Sequence, residues 1–300
     1  MENLYLDKYE PRVDPPELKP IAIFVHGGSC QHGSRKDSPY VEYATFFARN
    51  GFVAVSVSYR KASSLPSCRT PGSIDAAGSD IKAVIRYVRA KSAEWGADPT
   101  KIWLFGCSAG ARAAAWATYV PGNGIVRTNE NVDTSQNNEN EDASVTALFM
   151  LSGELYVPHL ECDLYACVDG GDPRCIEANE FVINADRVPD PSLGNCNYAG
   201  DDRYDILDPG KNLCDPARSV GCDNVVSAGD TPLTMVHNNP DNLPGTFTPW
   251  QVALRLQALL ESKEVPVTLT PNTDRPGHCS PRIPQDLLLA SARTSLGIES

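Results

Sequence analysis

Short apolar runs recur along this chain, at residues 21–25, 52–59, 101–105, 145–151, 231–236 and 265–270. Runs of this length that are apolar on both sides of the alternation predict parallel strands covered by helices on both faces. Helical periodicity lies between them. Tyr40 to Arg49 reads as a helix stopped by Gly51, and residues 74–91 place Ile81, Val84, Ile85 and Val88 on one face. Tyr119 closes an alanine-rich helix that opens at Ala109, while residues 249–262 carry Val252, Leu256, Leu259 and Leu260 at helical spacing. A last helix is predicted over 284–293. This alternation of strand and helix predicts an α/β fold, a doubly wound and mostly parallel sheet.

Two segments break the pattern. Residues 122–142 are rich in Asn, Glu, Gln and Thr and read as a mobile surface loop. Residues 154–229 show little periodicity but hold Cys162, Cys167, Cys175, Cys196, Cys214 and Cys222. A long irregular stretch stapled by disulfides between two strands predicts a cap over the site. Six cysteines permit fifteen pairings, and sequence does not choose among them. The expected organisation is a core of residues 1–153 and 230–300 with a disulfide-rich insertion at 154–229.

The chemistry centres on Gly106-Cys107-Ser108-Ala109-Gly110, a G-x-S-x-G pentapeptide between a predicted strand and a predicted helix. That context predicts a nucleophile elbow with Ser108 at its tip, where the free N–H groups of the helix start favour negative charge. His26-Gly27-Gly28-Ser29 follows the first strong strand. Its glycines let backbone approach a substrate oxygen, so Gly28 and Ser29 are expected to supply oxyanion donors together with Ala109. The base and acid should follow in the order serine, acid, histidine. His278 lies after the last predicted strand and is the expected base. His26, His32 and His159 precede that point, and His237, ending a strand, reads as structural. For the acid, Asp241 just past the next-to-last strand is preferred over Asp274, too near His278 in sequence, and over Glu154.

His26-Gly27-Gly28-Ser29 resembles the HGGG or HGGx oxyanion loop of hormone-sensitive-lipase-like and feruloyl esterase families, with Ser29 in place of a third glycine. His237-Asn238-Asn239-Pro240-Asp241 is similar to the HGxxD segment of related esterases, with Asn238 where glycine is usual. Cys107 precedes Ser108 and Cys279 follows His278, which resembles the CS-D-HC motif of tannases, fungal feruloyl esterases and a polyester-monomer esterase. That resemblance implies the α/β-hydrolase fold, a serine esterase with the triad Ser108, Asp241 and His278, and a Cys107–Cys279 disulfide tying nucleophile to base. It covers residues 4–153 and 230–300; the cap resembles no family identifiably. Cys30 and Cys68 are expected to form a further core disulfide.

The remaining composition narrows the setting. With 300 residues, 41% of them hydrophobic, the chain can bury a large core. A formal net charge of −12 argues against nucleic acid, which needs clustered Lys and Arg. No apolar run reaches the ~18–20 residues of a transmembrane helix. Ten cysteines without zinc-site spacing point to an oxidising compartment. Residues 1–11 are polar and strand-like, so a secreted or periplasmic protein is expected whose signal peptide is absent from this sequence. No cofactor is required for the chemistry. Asp201, Asp202, Asp205 and Asp208 are dense enough to suggest a structural calcium, as in tannase-like lids, but without an EF-hand loop a solvated acidic loop is preferred. The expected partner is a small-molecule or polymer-linked ester, of a feruloyl or other aromatic acid or of a short-chain acid. Alternatives are a polyester or aryl-ester hydrolase and a non-catalytic binding protein on the same fold.

Overall fold

The computed structural model describes residues 4–12, 17–61, 71–119, 138, 140–153, 229–238, 253–254, 256–257, 260–261, 263–272, 279 and 283–298. The expected cap, the acidic calcium candidate, Cys68, His159, Glu154, Asp241, Asp274 and His278 lie outside the described residues.

Seven strands form one sheet: β1 (Leu6–Tyr9), β2 (Lys19–Val25), β3 (Val53–Val57), β4 (Ala97–Cys107), β5 (Ala147–Leu151), β6 (Leu233–Asn238) and β7 (Val267–Asn272). Their order is β1-β3-β2-β4-β5-β6-β7. Only β1 runs antiparallel, pairing Leu6 with Val57, while all other neighbours are parallel. The described helices with fixed bounds are α1 (Tyr40–Arg49), α2 (Pro71–Lys91), α3 (Ala109–Tyr119) and α4 (Gln285–Ser295). Residues 253–254, 256–257 and 260–261 are helical as well. Among the described residues no helix is long and apolar enough to cross a membrane.

The period-2 alternation sorts the central strands onto two cores. Ile21, Ile23 and Val25 of β2 join Val55, Leu104, Leu148 and Met235 in a layer closed by α2 and α3. Ala22 and Phe24 join Ala54, Trp103, Phe105 and Phe149 in the opposite layer, closed by α1 and α4. That second layer is aromatic. Phe24 meets Phe47 edge-on at 5.1 Å between centroids, and Trp103 stacks on Phe47 at 5.4 Å. Helix α1 buries Tyr40, Tyr43, Ala44, Phe47 and Ala48, one stripe at helical spacing. It ends as Gly51 predicts: Gly51 takes φ 93°, and the Phe52 N–H donates to the Phe47 carbonyl at 3.1 Å.

The elements follow the hydrophobic pattern, with ends that differ by a few residues, and two of the starts have a clear physical reason. Strand β4 begins at Ala97 rather than 101, because Lys19 and Ala97 pair beyond a register shift in β2. Helix α2 begins at Pro71 rather than 74, proline being at home in a first helical turn.

Phe24 anchors the aromatic layer at zero exposure. Phe24→Ala is therefore expected to lower stability by about 3–5 kcal/mol, read as a reduced urea midpoint at unchanged slope.

Candidate active site

The C-terminal ends of the parallel strands lie on one edge of the sheet, where ligand sites of open α/β sheets are built. Backbone strain gathers there. Among the described residues, Ser29, Cys30, Ser108, Ser152, Glu264 and Cys279 are the non-glycine residues at positive φ. Ser29 and Cys30 follow β2, Ser108 follows β4, and Ser152 follows β5. Cys279 is covalently bonded to Cys107, the last residue of β4. Only Glu264 stands apart. Left-handed backbone costs energy for such residues and clusters where the surrounding structure enforces it.

Ser108 sits between β4 and α3 with φ 52°. Its N–H donates to the Leu151 carbonyl at 3.0 Å, continuing the sheet, and its carbonyl accepts from Arg112 at 3.1 Å, starting the helix. The two flanking glycines are required by contact. A Cβ on Gly106 would stand 2.6 Å from the Ala111 Cα, and one on Gly110 would stand 2.8 Å from the His26 carbonyl carbon. Without side chains at both positions, α3 can lie directly on β4 and on the end of β2.

The glycine loop lies against this turn. A Cβ on Gly27 would stand 3.2 Å from the Ser108 Cβ and 3.0 Å from the Cys107 carbonyl oxygen. Gly28 has φ 114°, and its carbonyl accepts from the Gln31 and His32 N–H groups at 2.9 Å each. The N–H groups of Gly28 and Ser29 donate to no described residue. These two, with the Ala109 N–H at the start of α3, are the oxyanion donors expected from the sequence.

His26, which precedes the nucleophile in the chain, is buried behind the glycine loop's first peptide. It is 1% exposed and stacks on Tyr59 with centroids 4.5 Å apart. Its Nδ1 lies 2.7 Å from the Gly27 carbonyl oxygen, which only accepts, so Nδ1 carries the proton. Burial pushes the imidazole pKa down, leaving the ring neutral at pH 7. The Gly27 carbonyl and the Gly28 N–H share one planar peptide, so this bond also sets the direction of that N–H. His237 is buried in β6, consistent with a structural role, and His32 lies in the loop whose N–H caps Gly28.

Cys107 and Cys279 are joined by a disulfide, with Cα atoms 6.1 Å apart and a sequence separation of 172. Cys279 is held further by its N–H, which donates to the Ser152 Oγ at 3.3 Å. Cys30 is also disulfide-bonded. Sequence reasoning missed three residues of this neighbourhood. Ser152 caps β5 with zero exposure, Tyr40 accepts the Gly27 N–H, and Tyr59 donates to the His26 carbonyl. Nothing local marks them, because each acts on a partner distant in sequence.

Comparison with known proteins agrees with this geometry. The profile of the BD-FAE family matches residues 6–161, just over half of the chain. Esterase LipC of Mycobacterium tuberculosis is 36% identical over 112 residues, which cover 37% of this chain and 26% of the relative. Gut esterase 1 of Caenorhabditis briggsae is 30% identical over 122 residues, 39% of this chain and 21% of the relative. The chain thus spans about a quarter of the length of these curated relatives. The butyrate-bound structure of Est2, a thermophilic esterase from the Planctomycetes species Thermogutta terrifontis, matches with a TM-score of 0.62 at 20% identity, over 99% of this chain and 87% of that one. The shared architecture is the α/β-hydrolase fold.

The Cys107–Cys279 bond closes a long loop in the unfolded chain, and the chain-entropy model assigns such a closure at most roughly 5 kcal/mol. The Cys107→Ala/Cys279→Ala double variant is expected to unfold at a clearly lower denaturant concentration while keeping the far-ultraviolet circular dichroism of the native sheet. An unchanged midpoint would mean that the bond constrains nothing.

Proposed function

The chain belongs to the BD-FAE family, and on that premise we propose that it is a carboxylic ester hydrolase with Ser108 as its nucleophile. What carries this reading is Ser108 itself, held in left-handed backbone between β4 and α3 with Gly27 packed against its Cβ. In the proposed reaction Ser108 Oγ attacks the ester carbonyl carbon while His278 takes its proton. The N–H groups of Gly28, Ser29 and Ala109 stabilise the resulting oxyanion. The intermediate collapses, the C–O bond to the alcohol breaks, and His278 protonates the departing alcohol. Water, deprotonated by His278, then attacks the carbonyl carbon of acyl-Ser108; the bond from that carbon to Oγ breaks, His278 returns the proton to Oγ, and the carboxylic acid leaves. Asp241 holds His278 in the required tautomer.

His278 is supported as base by its chain neighbour Cys279, which is bonded to Cys107, itself the neighbour of Ser108. Asp241 is supported by its place three residues beyond the end of β6, two strands from β4 in the sheet. For substrate, the CS-D-HC pattern favours esters of aromatic acids such as feruloyl or galloyl esters. Short-chain acyl esters are the second reading, favoured by the butyrate- and propionate-bound states of the Thermogutta enzyme. Residues 154–229 would then shape the acyl pocket as a cap. The disulfides suit a secreted or periplasmic enzyme.

Ser108→Ala is expected to lower kcat on p-nitrophenyl butyrate or methyl ferulate by about 10⁵–10⁶. Retention of more than about a tenth of wild-type activity would overturn the assignment of the nucleophile. Asp241→Asn is expected to lower kcat by roughly 10⁴ through the wrong histidine tautomer. A comparable loss in Glu154→Gln, with Asp241→Asn nearly active, would move the acid to Glu154.

A further inference from the structure

The glycine loop carries its N–H groups on a peptide chain in which Gly27 and Gly28 have no side chains to hold it. Glycine gives the loop its close approach to Ser108, but glycine is also the residue least confined in φ and ψ. Side chains from elsewhere confine it. The peptide joining His26 to Gly27 is gripped at both ends: the Tyr59 O–H donates to the His26 carbonyl at 3.0 Å, and the Gly27 N–H donates to the Tyr40 hydroxyl oxygen at 2.9 Å. The next peptide is gripped once, by His26 Nδ1 on the Gly27 carbonyl.

Tyr40 is the notable member of this set. It opens helix α1, whose Tyr43, Ala44 and Phe47 pack in the aromatic layer, yet its hydroxyl reaches back 13 residues to the loop. The Tyr40 hydroxyl and the Ser108 Cβ both border the position a Gly27 Cβ would occupy, 3.6 and 3.2 Å from it. The phenol is 7% exposed, and burial raises its pKa, so it stays protonated and neutral at the pH of catalysis. Its ring meets the His26 ring edge-on at 6.3 Å, which fixes the direction in which its oxygen points. Tyr40 also consumes the Gly27 N–H. Of the loop's successive N–H groups, those of Gly28 and Ser29 then remain for substrate.

We propose that Tyr40 is a positioning residue of the oxyanion hole: by accepting the Gly27 N–H it sets the loop so that the Gly28 and Ser29 N–H groups face the ester oxygen beside Ser108. The inference rests on the ester hydrolase reading above. Its energetic logic is preorganisation. Donors already aimed at the developing charge need no reorganisation in the transition state, whereas a loop free to rotate must be ordered during the reaction. The ground-state ester carbonyl makes weaker demands on the same donors, so loss of Tyr40's hydroxyl should appear in kcat more than in KM.

The experiment compares wild type with Tyr40→Phe, Tyr119→Phe and Ser108→Ala on p-nitrophenyl butyrate. Tyr119 is a control, since it is equally buried and its hydroxyl donates to the Thr231 carbonyl at 3.0 Å from the far end of α3. Tyr40→Phe is expected to lower kcat about 10- to 100-fold with KM within about twofold. The inhibition constant of phenylboronic acid, whose tetrahedral adduct mimics the oxyanion, should rise by the same factor as kcat/KM falls. Tyr119→Phe should keep wild-type kcat, although both variants lose one buried hydrogen bond. Wild-type kcat in Tyr40→Phe, a change in KM alone, or an equal kcat loss in Tyr119→Phe would overturn the role of Tyr40. If wild type hydrolyses the ester and Ser108→Ala does not, the ester hydrolase reading survives such a result. If wild type hydrolyses neither this ester nor methyl ferulate, both readings fall together.

Discussion

Everything at the edge of this sheet where the parallel strands end depends on how closely three backbones approach one another. The end of β4, the first turn of α3 and the loop after β2 meet where Gly106, Gly110 and Gly27 have no side chains to part them. A single methyl at Gly110 would press on the backbone of Val25 and His26, pushing the elbow from the loop. The contact holds Ser108 in left-handed backbone and brings the glycine loop to its side. Such strain persists only when the surroundings over-determine it. Here they do: β2, β4 and β5 are adjacent, parallel and buried on both faces, so their ends have little freedom.

The strained residues are held by bonds of different kinds. Ser108 is fixed by the sheet on one side and the helix on the other, through Leu151 and Arg112. Cys279 is fixed covalently to Cys107 and by a hydrogen bond to Ser152. The glycine loop is fixed by side-chain groups of Tyr40, Tyr59 and His26. A rigid sheet edge with polar groups pinned around one half-buried serine suits chemistry in which charge develops at a defined point.

Much of this was legible in the sequence, for physical reasons that differ by element. The parallel strands show themselves because burial on both faces leaves no room for polar alternation, as in β2 and β5. Helix α1 is legible from its buried stripe and from Gly51, which must adopt positive φ. The start of β4 is not, because Asp98, Pro99 and Thr100 read as a loop until the pairing of Ala97 with Lys19 draws them into the strand. The elbow and the glycine loop are legible because steric demand there is absolute. Tyr40, Tyr59 and Ser152 are not, since a hydroxyl chooses a partner 13, 33 or 127 residues away and leaves no local trace. Asp241 and His278 were read from chain order and from the resemblance to esterase motifs, and lie outside the described residues.

The central claim is that Ser108 is a nucleophile activated by its position. Treating the folded protein with a fluorophosphonate probe and mapping the adduct by mass spectrometry tests it most directly. The account predicts one stoichiometric adduct on the peptide containing Ser108, formed only by the native protein and absent after denaturation before labelling. No adduct, or one on a different serine, would contradict it.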